Sequence, residues 1–214
     1  MESTHLFLVR HGQSEGNAAL RFGGHSDTPL SELGKKQAWV TAKYLASKKV
    51  SVIYSSDLPR TMQTAQPAAD LINLEVHATD AFRERNVGVL SGLTFAEAEK
   101  HFAADYAALI NRDFDHVIAQ GESYRQMLDR ATIELDDILA RYAGERIAIF
   151  SHTGTICLLV LHLVGSLEMP EPRPLWIATR NCGIAHFEFR QNHIPRLHAV
   201  NDTKHLQYLE RRKN

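Results

Sequence analysis

The feature that most constrains the fold is a repeated pair of segments. A short apolar run, rich in branched residues, ends in polar residues and is followed by a stretch with helical spacing. Such runs occupy residues 5–9, 50–54 and 146–150, and later ones follow at 184–189 and 196–200. Short strands that alternate with longer helices are typical of α/β proteins. We therefore expect an α/β three-layer sandwich with a central, mostly parallel sheet flanked by helices.

Helix signals follow the first strands. Residues 31–45 place apolar side chains three and four positions apart, with Ser31 as a candidate N-cap. Residues 58–71 form a second helical pattern with Pro59 in its first turn, where the missing N–H has no cost. A third helix is predicted at 155–164, directly after the strand at 146–150. These patterns support alternating strands and helices along the chain.

The domain organisation is simple. No internal repeat, low-complexity tract or Ser/Gly linker divides the 214 residues, so we expect one domain over 1–214. A long helix is predicted to begin at 121–124 and to end at Gly144. Residues 93–120 are helical but mixed in character. We expect this segment to be a small helical insertion that lies over the active site.

Composition excludes several function classes. The chain has 24 Lys+Arg and 25 Asp+Glu, a formal charge of −1, so neither nucleic acid nor an anionic membrane is an expected partner. No apolar run approaches the roughly 20 residues that span a bilayer, and no signal-like leader precedes the first strand. Cys157 and Cys182 cannot form a disulfide framework, and we expect both in the core. We expect a cytoplasmic protein, and the sequence leaves its oligomeric state open.

Basic side chains stand where the predicted strands end. Arg10 and His11 follow the strand at 5–9, Arg60 follows the strand at 50–54, and His152 follows the strand at 146–150. If these strands are neighbours, the side chains meet in the crevice beyond the carboxyl ends of the sheet. One guanidinium group binds two phosphate oxygens at once, and the N-terminus of the helix entered through residues 153–155 adds a second anion-binding element. The pattern indicates a site for a phosphoryl group.

Motifs along nearly the whole chain are similar to those of the histidine phosphatase superfamily, to which cofactor-dependent phosphoglycerate mutases belong. A single "RHG" triplet is a weak signal, but several motifs in the family's order are a strong one. The matching segments are Arg10-His11-Gly12 with Asn17, then 24–38, 55–65 with Arg60, 83–92 with Glu84, 121–123, Ser151-His152 and 201–206.

The resemblance implies a role for each candidate catalytic residue. His11 is the nucleophile, which must be neutral and forms a phosphohistidine. Arg10, Arg60 and a cationic His152 hold the phosphoryl oxygens, and Glu84 acts as general acid and then as general base. No metal and no cofactor is implied. Of the twelve histidines, the others show no spacing of metal ligands such as HExxH.

The resemblance also suggests substrate-binding residues. Asn17 is expected to donate to the phosphoryl group, and Gly24 lies in a matching motif. Asn181 matches a position that lines the pocket. Thr153 stands where many family members carry glycine, and we expect activity to survive this difference.

Within the family, two departures favour a phosphatase over a mutase. Val87 stands where mutases carry tyrosine, and the segment that follows has no adjacent Arg-Arg pair. We expect hydrolysis of small phosphomonoesters, with a small phosphorylated metabolite as partner. The alternatives are a cofactor-dependent phosphoglycerate mutase and a sugar phosphatase similar to fructose-2,6-bisphosphatase. A non-catalytic phospho-ligand module and a protein-phosphohistidine phosphatase are further, weaker alternatives.

The sugar phosphatase resemblance suggests where substrate choice is made. Arg112 and Tyr124 fall near the sugar-phosphate contacts of that enzyme, and we expect both to bind substrate. Phe95 stands where a tyrosine hydroxyl would be expected, and His116 is a fourth candidate specificity residue. Alanine substitutions at these positions are expected to change the ranking of substrates.

Overall fold

The computed structural model of the protein describes residues 3–168 and 175–210, so the ends of the predicted domain at 1–2 and 211–214 lie outside the described residues. The described chain forms a six-stranded sheet with the strand order β3-β2-β4-β1-β5-β6. The strands are β1 (Thr4–Arg10), β2 (Val52–Ser56), β3 (Val76–Thr79), β4 (Arg146–Ser151), β5 (Ile184–Phe189) and β6 (Arg196–Asp202).

The sheet is mixed but mostly parallel, as the sequence predicted. Strands β3, β2, β4 and β1 pair in parallel, whereas β5 is antiparallel to both of its neighbours. The register places Arg10 of β1 beside Ser151 of β4. The residues that follow these two adjacent strands therefore emerge at the same edge of the sheet.

Helices pack on both faces of the sheet. Ser31 accepts a hydrogen bond from the N–H of Gly34 and is the predicted N-cap, and Pro59 is the first residue of its helix. The helices are α1 (Glu15–Ala18), α2 (Glu32–Ser47), α3 (Pro59–Ile72), α4 (Phe95–His101), α5 (Ala103–Ile110), α6 (Tyr124–Arg141), α7 (Thr153–Leu163) and α8 (Gln207–Glu210).

The core has two halves because successive side chains of a strand point to opposite faces. Phe7 and Val9 of β1 pack with apolar residues of α2 and α3. Leu6 and Leu8 pack on the other face with residues of α6 and α7. All four side chains are fully buried. This arrangement confirms the predicted α/β sandwich.

The structure differs from the sequence prediction in several places. Strand β2 is Val52–Ser56, two residues later than the predicted 50–54. Strand β3 at the sheet edge was not predicted, because its four residues are only partly buried or exposed and form no apolar run. Helix α7 begins at Thr153, two residues before the predicted start. Residues 93–120 contain α4 and α5, and the status of this segment as an insertion stays a prediction. Within 3–168 and 175–210, no helix has the length and apolar composition that a bilayer crossing requires.

Candidate active site

A cavity of about 280 Å³ opens beyond the carboxyl ends of β1 and β4. Loops and helix starts that lie far apart in the chain form its wall. The structure brings all five candidate catalytic residues together in this wall, which includes Arg10, His11, Arg60, Glu84 and His152.

The two histidines face each other. The ring centroids of His11 and His152 lie 5.2 Å apart, and both side chains are buried. His11 Nδ1 lies 2.6 Å from the carbonyl oxygen of Gly12. A carbonyl can only accept, so Nδ1 carries the proton and Nε2 keeps its lone pair. This is the tautomer that a nucleophilic Nε2 requires.

The protein's own groups favour the neutral form of both rings. Burial, followed by the charges of Arg60 and Arg10, holds the pKa of His11 well below 6.5. Burial and Arg60 lower the pKa of His152 in the same way. Neutral His11 agrees with a nucleophile. For His152, the expected cation is not favoured by the protein alone, because a buried ring beside two guanidinium groups resists a further positive charge.

The two ring nitrogens of His152 differ in their hydrogen bonding. Its Nε2 lies 3.0 Å from the hydroxyl of Ser56. Its Nδ1 is buried and has no hydrogen-bond partner in the described part of the chain. A buried polar atom without a partner costs free energy, and the described residues leave this cost at Nδ1 without compensation.

Five of the described arginines line the cavity, and two of them, Arg10 and Arg60, are the predicted catalytic ones. Arg60 is 3% exposed and donates to the carbonyl oxygens of Ser26 and Gly24 at 2.8 and 2.7 Å. Burial lowers the pKa of Arg60 to about 10, so it remains a cation at neutral pH. Arg10 donates through Nη1 to the carbonyl oxygen of Thr179, and its buried Nε has no partner among the residues described.

The carboxylate of Glu84 is held by two backbone amides. Its Oε2 accepts from Gly154 N and its Oε1 from Arg85 N, both at 3.0 Å. Gly154 lies in the first turn of α7, where the N-terminal dipole of the helix favours a negative group. The loop after β3 and the start of α7 therefore fix the acid together.

Of the predicted phosphate-side binding residues, three line the cavity and one does not. Asn17, Gly24 and Thr153 belong to the wall. Asn181 is not among the described lining residues. Its side-chain amide donates to Asn17 Oδ1 and to the backbone oxygen of His11, both at 3.1 Å. The role of Asn181 in substrate binding stays a prediction, and its amide contacts Asn17, which does line the cavity.

Three of the four predicted specificity residues line the cavity. Arg112 and Tyr124 line the cavity, and Arg112 Nη1 donates to the Tyr124 hydroxyl at 2.9 Å. Phe95 also lines the cavity. His116 is not part of the described wall, and its Nε2 lies 2.6 Å from an oxygen of Asp105. The proposed contact of His116 with substrate is therefore not supported.

Several lining residues were missed by the sequence analysis, and Arg85 and Trp176 are two of them. Arg85 is 2% exposed and its guanidinium lies 4.0 Å above the ring of Tyr124. Trp176 receives the guanidinium of Arg112 on its ring, also at 4.0 Å. Arg85 lies in an Arg-Glu-Arg run that is typical of a solvated surface, and Trp176 follows a segment without periodicity. Neither position carried a sequence signal.

Metal ligands were not expected at this site. In the described ranges, no cluster of three or more His, Cys, Asp or Glu side chains is arranged so that it could hold a metal ion. The metal-independent chemistry remains a prediction.

Together, the sheet and the cavity define an α/β protein with a histidine- and arginine-lined cavity at the carboxyl edge of its strands. A sequence profile of the histidine phosphatase superfamily (branch 1) matches residues 6–203. The chain belongs to this superfamily, as the sequence motifs predicted.

Relatives and solved structures of two kinds resemble the chain. A probable phosphoglycerate mutase of Klebsiella pneumoniae is 32% identical over 187 residues, which cover 87% of this chain and 86% of the relative. A mycobacterial glucosyl-3-phosphoglycerate phosphatase solved with VO3 has a TM-score of 0.80 at 27% identity, over 93% and 99% of the chains. A histidine-to-alanine mutant of phosphoserine phosphatase from Entamoeba histolytica, solved in complex with phosphoserine, has a TM-score of 0.78 at 30% identity, over 95% and 99%. The protein is therefore an enzyme of a superfamily that contains phosphatases and mutases.

Proposed function

We propose that the protein is a phosphatase that hydrolyses small phosphomonoesters through a phosphohistidine on His11. The observation that carries this proposal is the tautomer of His11. Its Nδ1 proton is bound by the Gly12 carbonyl, so Nε2 has a lone pair in a cavity that also contains two guanidinium groups and the Glu84 carboxylate. A neutral nucleophile beside fixed cations suits attack on a phosphoryl group.

The reaction would proceed in two steps. In the first, His11 Nε2 attacks phosphorus, the ester P–O bond breaks, and protonated Glu84 gives its proton to the leaving alkoxide. In the second, Glu84 takes a proton from water, water oxygen attacks phosphorus, and the P–N bond breaks. Inorganic phosphate and free His11 are the products.

The positive groups would act on the phosphoryl oxygens. Arg10 and Arg60 would offset the negative charge and hold the group in line with His11 Nε2. A phosphoryl dianion beside His152 would raise the pKa of that ring, against the effect of burial. Asn17 and Thr153 line the same cavity.

Two observations favour hydrolysis over phosphoryl return to a bound sugar acid. The two solved structures described above are named as phosphatases. The segment at 93–120 also has no adjacent pair of arginines to grip a second anionic group. The relative from Klebsiella, named as a probable mutase, keeps the mutase as a second candidate. A sugar phosphatase similar to fructose-2,6-bisphosphatase is a third, supported by Arg112 and Tyr124 in the wall.

The partner in this proposal is a small phosphorylated metabolite in the cytoplasm. A cavity of about 280 Å³ accommodates a phosphate ester of metabolite size. The formal charge of −1 offers no basis for binding nucleic acid or an anionic membrane.

The decisive experiment is hydrolysis of p-nitrophenyl phosphate in the presence of EDTA, followed by trapping of the phosphoenzyme and a test of whether its phosphoryl bond is acid-labile. We expect turnover in EDTA and a trapped phosphoryl group that His11→Ala abolishes. An unchanged rate in His11→Ala would refute the nucleophile, and loss of activity in EDTA would refute metal independence. Formation of 2-phosphoglycerate from 3-phosphoglycerate with its bisphosphate primer, faster than phosphate release, would instead favour the mutase.

A further inference from the structure

Arg130 of α6 makes more hydrogen bonds to the backbone of the segment that carries Glu84 than Ser151 or Thr155, each of which donates to one carbonyl oxygen there. Arg130 donates to the backbone oxygens of Ala81, Arg83 and Glu84 at 2.7, 2.9 and 3.0 Å, and to that of Asp80 at 3.3 Å. Arg130 is not among the described residues that line the cavity. Its contacts are therefore with the backbone that presents the acid and not with the cavity wall as described.

An ion pair completes this attachment. Arg130 Nη2 lies 2.7 Å from Glu122 Oε1 and Arg130 Nε lies 3.2 Å from Glu122 Oε2. Glu122 Oε1 also accepts from the backbone N–H of Asn86 at 2.8 Å. Arg130 and Glu122 thus hold residues 80–86 on both sides of Glu84. Their side chains are only 24% and 16% exposed, so solvent screens this pair less than it screens a surface pair.

The backbone oxygen of Glu84 receives a second donor. His25 Nε2 donates to it at 2.8 Å, and the same ring lies 3.8 Å from Glu122 Oε1. All five N–H groups of the Arg130 guanidinium have acceptors within this network, whereas a lysine has only three. This geometry suits the accurate placement of one short segment.

We propose that Arg130 is a positioning residue for the general acid, acting through the backbone of residues 80–86 and through Glu122. This inference rests on the proposed role of Glu84. An error of about 1 Å in the placement of a catalytic group can cost on the order of 100-fold in rate. Loss of Arg130 shifts the backbone of Glu84, so that its carboxyl no longer reaches the leaving oxygen, while His11 and the arginines of the cavity keep their own contacts.

The test compares two leaving groups. p-Nitrophenolate is a weak base that departs without a proton, whereas the alkoxide from an alkyl phosphate needs one. The measured quantity is the ratio of kcat/KM for O-phosphoethanolamine to kcat/KM for p-nitrophenyl phosphate, since kcat/KM reports the step up to the phosphoenzyme. We expect Arg130→Met to lower this ratio about tenfold or more, because acid catalysis contributes about 100-fold or more to the alkyl substrate alone.

Two further variants separate positioning from general stability. Arg130→Lys keeps the charge and part of the hydrogen bonds, so its ratio should lie between those of the wild type and Arg130→Met. Arg141→Met removes an exposed arginine from the same helix, where it pairs with Asp137, and should leave the ratio unchanged. An equal loss on both substrates in Arg130→Met would overturn the proposal, because a merely structural role lowers both rates together.

Glu84→Gln distinguishes failure of this inference from failure of the proposed function. If Glu84→Gln lowers the ratio and Arg130→Met does not, Glu84 is the acid and Arg130 does not position it. If Glu84→Gln leaves the ratio unchanged, the proposed acid itself is wrong, and the inference is overturned with it. Should Arg130→Met fail to fold, Glu122→Gln removes the ionic partner from the same network, and its ratio decides the matter by the same criterion.

Discussion

The backbone N–H of Gly154 donates to Glu84 Oε2 at 3.0 Å and so joins the first turn of α7 to a carboxylate 70 residues earlier in the chain. The carboxylate fits there because residue 154 has no side chain. A Cβ atom at this position would lie 2.3 Å from Glu84 Oε1, well inside van der Waals contact. The start of α7 therefore determines where the candidate acid can be.

Gly154→Ala should lower activity without unfolding the protein. The added methyl meets the end of a flexible side chain, so the carboxylate moves away and kcat/KM for an alkyl phosphate should fall about 100-fold. Stability should change by no more than about 1 kcal/mol, since alanine is the better helix former. Steady-state kinetics and thermal unfolding measure the two effects.

A double variant checks the cause of that loss. In a Glu84→Gln background, Gly154→Ala should have a much smaller effect, because the group it displaces has already lost its function. Additive losses in the double variant would mean that Gly154→Ala acts on some other part of the site.

Gly24→Ala should lower the free energy of unfolding, and Gly23→Ala is its matched control. Gly24 has φ +46°, and a Cβ there would lie 2.6 Å from a methyl of Val87. We expect a loss of about 1–3 kcal/mol in the free energy of unfolding, from the left-handed backbone and this contact. At Gly23 the nearest atom to an added Cβ is 3.8 Å away, on Arg60, so Gly23→Ala should cost less than about 1 kcal/mol.

Urea unfolding of both variants measures this difference. The Gly24 carbonyl accepts from Arg60, so the same substitution should also weaken phosphate binding. Equal midpoints for Gly23→Ala and Gly24→Ala would show that the loop relaxes at no cost and that the backbone conformation at residue 24 is not required.

Much of the fold could be predicted because burial leaves a pattern in the sequence. Strands β1 and β4 are central and nearly completely buried, so they appear as continuous apolar runs. Strand β3 has no such run, since it lies at the sheet edge with exposed side chains. The reversed direction of β5 also has no local signal. The direction of β5 is determined by how the chain returns to the open edge of β1, which depends on the assembled sheet and not on the residues of β5.

The residues of the candidate site also differ in whether the sequence could predict them. His11 and His152 stand at the ends of apolar runs, and this position alone makes them candidates. Arg85 has no such context, and it is buried because backbone oxygens of Glu122 and His116 accept from it. Arg130 depends likewise on acceptors from another part of the chain. A cation buried by distant carbonyl groups cannot be distinguished in sequence from a cation in solvent.

Arg112→Ala should change the order of preferred substrates. The guanidinium of Arg112 is fixed between the ring of Trp176 and the hydroxyl of Tyr124, so it presents a preorganised donor to the part of the substrate beyond the phosphate. We expect kcat/KM for the best substrate of a phosphate-ester panel to fall about tenfold or more, as for loss of a charged hydrogen bond. The rate with p-nitrophenyl phosphate should change less.

His116→Ala is the matched control within the same segment. His116 pairs with Asp105 and is not among the described lining residues, so its substitution should scale all rates together. If His116→Ala reorders the panel and Arg112→Ala does not, the assignment of specificity to the Arg112 side of the wall is wrong.

His186 should contribute to the loss of stability in acid. Its Nε2 lies 3.0 Å from His5 Nδ1, and its ring stacks on Phe7 at 4.4 Å and on His198 at 4.8 Å. Burial, and then the neighbouring histidines and Arg146, lower the pKa of His186 from 6.5 to about 4. Between these two pH values the unfolded chain binds a proton that the folded chain does not. The stability contribution of neutral His186 is therefore complete above pH 6.5 and decreases as the pH falls towards 4.

His186→Phe keeps a flat ring in the stack and removes this proton. The free energy of unfolding should then fall less steeply as the pH decreases. One proton changes the slope by at most about 1.4 kcal/mol per pH unit, and the change should be smaller than this because the ring is only half-buried. Urea titrations at several pH values from neutral down to about 4 measure the slope. His193→Gln alters an exposed histidine and should leave the slope unchanged. Parallel pH curves for wild type and His186→Phe would mean that His186 keeps its ordinary pKa in the folded protein, so that the stacked imidazoles do not resist protonation.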